Sequence, residues 1–124
     1  MPAAAIALIV LLGLLALFQL ALALGAPLGR FAWGGAHRVL PVRLRMGSLI
    51  AIVIYAVIAL LALDRAGLVD LVPEPVAVVG TWVAFAYFLI GIPLNAISRS
   101  RAERLTMTPL VAVLALLSLL VALG

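Results

Sequence analysis

Seven arginines stand in two groups, Arg30, Arg38, Arg43 and Arg45 in one and Arg99, Arg101 and Arg104 in the other, with long apolar runs on either side of each. A guanidinium carries a fixed fork of donors that matches two phosphate or carboxylate oxygens at once. Beside apolar segments, such clusters suit an anionic lipid headgroup or a phosphate. Asn95 and Ser98 precede the second group and would either join such a site or cap the turn there. Two further readings use the same residues. The arginines hold their loops on one side of a membrane, or they form a docking surface for an acidic protein.

Other chemistry has few candidates. There is one His and no Cys, so a zinc site lacks ligands. Glu103 is the only acid available to act with His37, and nothing in their spacing demands an acid–base pair. No Walker pattern is present, and no apolar run carries the paired carboxylates of a proton relay. The expectation is a non-enzymatic protein without metal or cofactor, with an enzyme acting on lipid headgroups through His37 and Glu103 as a distant third reading. A net charge of +4 reports topology here before it reports nucleic acid.

The elements that must position these residues follow from composition. The chain is 69% hydrophobic and 10% charged, against roughly 45–50% and about 25% in soluble domains. A soluble fold of this length cannot bury so many Leu, Val, Ile and Ala side chains, whereas a bilayer solvates them. Four runs are predicted to cross as α-helices, at about 3–24, 41–63, 76–92 and 109–123. They are apolar on all sides, which argues against barrel strands. The first run has no positive charge before it, so it reads as a retained span, not a signal peptide. Pro41 and Pro109, the latter after Thr108, are expected to open the second and fourth helices. Ser100-Arg101-Ala102-Glu103 has a capping-box pattern and is expected to start a short interfacial helix that breaks at Thr108-Pro109.

The fold class expected is an all-α integral membrane four-helix bundle of two transmembrane hairpins. The first and third links are arginine-rich, and the second carries Asp64, Asp70 and Glu74 beside Arg65. The positive-inside rule then puts the basic links in the cytoplasm and both termini outside, in a bacterial inner membrane. Gly25-Ala26-Pro27-Leu28-Gly29 and Gly91-Ile92-Pro93-Leu94-Asn95 are similar punctuation, each followed by arginines and then by Pro41 or Pro109. That pattern suggests a tandem 2+2 parallel repeat, although Gly and Pro end helices generally.

Within the runs, small residues recur at helical spacing. Gly47, Ala51, Tyr55 and Ala59 form one stripe, and Gly80, Ala84, Tyr87 and Gly91 another. In lipid such stripes pack helices together; the alternative is a ligand groove lined by both Tyr hydroxyls. Gln19 is the clearest polar residue of the first run and is expected to bond across helices or to line a permeation path.

Gly25-Ala26-Pro27-Leu28-Gly29-Arg30, Trp33-Gly34-Gly35, Leu40-Pro41 and Leu44-Arg45, with Asn95-Ala96-Ile97-Ser98-Arg99-Ser100-Arg101 and Glu103-Arg104, resemble a group of small four-span bacterial membrane proteins. The resemblance covers most of the chain and implies the four-span architecture without implying an activity. The first span lacks the Glu on which small multidrug transporters rely, and the spans lack the Gly/Asn-rich pattern of fluoride channels. The functional expectation is a protein that transports, conducts or binds a small or lipid-like anionic ligand. Its expected partners are membrane lipids and further copies of itself in a homo-oligomer. The alternative is an accessory or assembly subunit of a larger membrane complex. Four short helices are expected to enclose little volume, placing any pocket between subunits.

Overall fold

A computed structural model describes residues 1–124. It is all-helical: α1 Pro2–Ala23, α2 Val42–Arg65, α3 Glu74–Ala96 and α4 Arg101–Leu123. Each is long and apolar enough to cross a membrane. At 1.5 Å per residue, helices of 22 to 24 residues span about 33–36 Å, slightly more than the hydrocarbon core. The outward faces remain apolar, with Ile6, Val10, Leu14, Val53, Val57, Val79, Val83 and Leu116 all exposed. That belt is the surface lipid would cover in a multi-pass protein.

The helices pair as two hairpins, α1 with α2 and α3 with α4, and the α1–α4 and α2–α3 contacts close the bundle more loosely. Leu8, Leu12 and Leu15 of α1 meet Tyr55, Ile58, Ala62, Ala84, Phe88, Leu114 and Ala115 in the core. Because lipid tails match Leu in polarity, close packing supplies the cohesion. Gly80 admits Leu61, since a Cβ there would lie 2.6 Å from its Cδ1, and Gly91 admits Val111 at 3.0 Å. Gly80, Ala84 and Gly91 therefore face other helices as expected, while Tyr87 is half-exposed.

Two helix ends follow directly from sequence. After α1 the Ala26 N–H donates to Ala21 O and Gly25 N–H to Leu22 O, with Gly25 at φ +95°. After α2 the Leu68 N–H donates to Leu63 O and Gly67 N–H to Asp64 O, with Gly67 at φ +78°. Both are Schellman ends that a left-handed glycine permits. The acidic connection then folds on Asp64, whose Oδ2 accepts from the Leu71 and Val72 N–H groups.

The boundaries of the second half differ from expectation. α3 runs through Pro93 to Ala96, and α4 starts at Arg101, about two turns before Pro109. Ser100 caps α4, its Oγ accepting from the Glu103 N–H at 3.3 Å. Pro109 forfeits one backbone bond inside an already nucleated helix, and membrane helices tolerate that. There is no separate interfacial helix, and Arg101 and Arg104 are helical residues. Pro41 instead stands just before α2 as its N-cap. Pro41 and Pro109 thus occupy unlike positions relative to their helices.

Candidate ligand-binding cavity

The first link, between α1 and α2, is a folded cover over one end of the bundle. It contains two short 3-10 turns, Gly29–Phe31 and Trp33–Gly35. The Gly29 N–H donates to Arg38 O at 2.9 Å, and a Cβ on Gly29 would overlap the His37 carbonyl. Only glycine fits that closure. Leu22, Ala32 and Leu40 bury together beneath it, with Phe18, Leu28 and Leu44 packed around them. Phe31 meets Phe18 edge to face at 6.4 Å.

The middle of the link is held left-handed over three residues, Trp33, Gly34 and Gly35, at φ +53°, +74° and +73°. The tryptophan is the unusual member, since an L side chain there costs about 1–2 kcal/mol. What holds it is contact with other elements. Its indole lies on Gly47 of α2, where a Cβ would stand 2.8 Å from the ring. The Gly34 N–H donates to Glu103 Oε1 at 3.3 Å. The Ser100 hydroxyl donates to the Arg30 carbonyl. The capping box expected at Ser100 and Glu103 is therefore only half made: the Glu103 N–H is capped, but its carboxylate turns to the link, and the Ser100 N–H goes to Ser98 Oγ.

Below this cover lies a cavity of about 350 Å³, bounded by all four helices and the link. Its walls include Leu15, Phe18, Phe31, Trp33, Phe88, Leu94, Met107 and Leu114. Of the aromatic residues in the chain, only Trp82 and Phe85 lie elsewhere. Its polar lining is Gln19, Tyr55, Tyr87, Asn95 and Glu103. Gln19 Nε2 donates to Tyr55 Oη at 3.4 Å, the interhelical bond expected of it, while Gln19 Oε1 is buried without a partner. Asn95 Nδ2 donates to Gly91 O at 2.8 Å, which occupies its amide with its own helix. Glu103 is 8% exposed and sits in the first turn of α4, where the helix dipole favours negative charge.

A shallower hollow along α2, at Gly47, Ile50, Ala51 and Ile54, shares Gln19, Trp33, Tyr55 and Tyr87 with the cavity. These four side chains stand between the interior and the α2–α3 face, where Trp33, Ile50 and Tyr87 are exposed. The cavity thus adjoins a hollow on the surface that lipid would cover. It also lies within one chain, whereas the expectation was that four short helices enclose little volume and that a pocket forms most simply between subunits.

The arginines do not converge on one point. Arg30 and Arg38, with His37, Pro27 and Gly35, line a surface depression on the outer side of the link. Arg30 also stacks over Phe31, 4.7 Å from the ring centroid. Arg45 donates to Leu40 O at 2.8 Å and lies under Gly25, which secures the link. Arg104 donates to Ser98 O at 3.1 Å in the α3–α4 turn. Arg43, Arg99 and Arg101 are exposed. No arginine lines the cavity.

Sequence reading did not join Glu103 to Gly34, nor assign Trp33 and Phe18 to one cavity. The Trp33-Gly34-Gly35 run and the Ser100/Glu103 pattern were both visible signals, but their pairing is long-range. No family model, curated protein or solved structure matches the chain.

Proposed function

We propose that this protein is a non-enzymatic component of the bacterial inner membrane that binds a small or lipid-like ligand. Its apolar body enters the cavity from the bilayer between α2 and α3, beneath the link. The observation that carries the reading is that cavity: aromatic-walled, adjoining a hollow on the α2–α3 face and adjacent to a basic surface in an otherwise close-packed bundle. A ligand reached through lipid must itself partition into lipid. The basic end faces the cytoplasm and both termini lie outside, in keeping with seven arginines at that end and Asp64, Asp70 and Glu74 at the other. An anionic group on the ligand stays outside the cavity, at the depression of Arg30, His37 and Arg38. Association into a homo-oligomer would add to this site without being needed to create it.

Native mass spectrometry after gentle detergent extraction tests the reading. The expected result is a discrete species carrying a bound lipid-sized mass. Leu15→Phe, which fills the cavity, should remove that mass, and Arg30→Gln with Arg38→Gln should reduce its retention. Wild-type protein without adduct, joined instead to other membrane proteins, would favour an accessory subunit and overturn the ligand reading. The same spectra report the subunit number.

A further inference from the structure

The polar groups of the cavity specify more than an apolar guest. Two of them are acceptors with unused capacity. Gln19 Oε1 has no donor, a costly state for an amide oxygen, but it is fully buried and does not front the open space. Glu103 is a carboxylate with room for several hydrogen bonds, and the Gly34 N–H is the donor it receives, at 3.3 Å. No guanidinium or imidazole lines the space. The cavity walls include Phe18, Trp33, Tyr55, Tyr87 and Phe88, and aromatic ring faces attract cations most strongly when water is excluded. A buried carboxylate in a cavity walled by aromatic rings is complementary to a positively charged N–H donor, and an anionic head would be repelled there.

We infer that the cavity binds a protonated amine carried on an apolar body, with Glu103 as the counter-charge and the aromatic walls as its cage. The inference rests on the reading of the cavity as a site for lipid-like ligands and names the head group it selects. Either a simple alkylamine or an amine-bearing phospholipid presents this chemistry. The phospholipid would also place its phosphate near the Arg30 and Arg38 depression outside the cover.

Trp33 is a built-in reporter, because it lines the cavity while Trp82 does not. Trp82→Phe leaves it as the single indole of the chain. In that background, in maltoside micelles, Trp33 emission is titrated with dodecylamine, dodecanol, dodecyl sulfate and lysophosphatidylethanolamine. The expected result is a saturable response with the amine favoured over dodecanol by about tenfold, and that preference abolished by Glu103→Gln. The glutamine retains an oxygen for the Gly34 N–H, so the cover keeps its anchor. A surface of net charge +4 would favour the sulfate in nonspecific binding, so an amine preference identifies the cavity. Response to both amines supports a general amine site. Response to the lysophospholipid alone, weakened by Arg30→Gln and Arg38→Gln, supports the inference and makes the lipid the source. Equal binding of amine and alcohol, or an amine preference that survives Glu103→Gln, overturns the amine inference and leaves the lipid-ligand reading standing. No saturable response to any amphiphile, with no adduct in the native spectra, overturns both.

Discussion

The two connections at the basic end start from similar ingredients and become different structures. Both follow a Gly-x-Pro-Leu stretch and both are rich in arginine. The first is a folded cover with its own small core and three left-handed residues. The second is a tight turn, and Arg101 and Arg104 are taken into α4. The difference lies in what each can dock against. Gly29, Gly34 and Gly35 let the first link fold back on itself, and Trp33 and Gly34 find partners on α2 and α4. In the second, Ser98 and Ser100 satisfy the local backbone at once, leaving only enough chain to reverse direction. Arginine content is alike in the two links, but glycine placement and long-range acceptors decided which link became a structure.

Gly29→Ala should separate the two most sharply. The added methyl overlaps the His37 carbonyl, and relieving that would unfold the link at a cost of about 1–3 kcal/mol. Limited trypsin digestion should then cut at Arg30 and Arg38 while sparing the α3–α4 turn. Unchanged cleavage would mean the cover is not held by that closure. Ser100→Ala affects both links, removing the α4 cap and the donor to the Arg30 carbonyl. A loss of about 1 kcal/mol is expected from the cap, together with a shift in Trp33 emission as the cover loosens. A stability loss without that shift would show the links to be independent. Gln19→Leu should do least to stability, about 0.5 kcal/mol or less in thermal unfolding. It removes a long hydrogen bond of 3.4 Å but also an unpaired acceptor. A large loss would mean that Gln19 Oε1 has a partner in the membrane, such as an ordered water.

The candidate site was legible only in part. Gln19, Tyr55 and Tyr87 were recognised as polar groups within apolar runs, and the structure gathers all three at one cavity. The arginines were recognised as one-sided, but that is a statement about helix direction and does not make them neighbours. Ser98 accepts from the Ser100 N–H in the turn, one of its two expected roles, whereas Asn95 bonds back to Gly91 O within α3 and lines the cavity. Glu103 shows where local pattern stops. Its spacing from Ser100 predicts a reciprocal cap, yet the Gly34 N–H, 69 positions away in sequence, takes the carboxylate instead.

The sequence by itself determined that there are four apolar helices, that they pair as two hairpins, and that charge divides between the two ends. It did so because burying apolar surface in lipid and satisfying every backbone group leave a run of about 20 apolar residues one option, the helix. The Schellman ends at Gly25 and Gly67 are equally local, each resting on one glycine that tolerates positive φ. Only the tertiary structure decided that α4 runs through Pro109, that the first link closes over the bundle, and that a cavity lies beneath it. The cover and its cavity depend on contacts between residues apart in the chain: Ser100 with Arg30, Glu103 with Gly34, and Trp33 with Gly47. Periodicity records which way a side chain points along its own helix, and it carries no record of which distant group will be there to meet it.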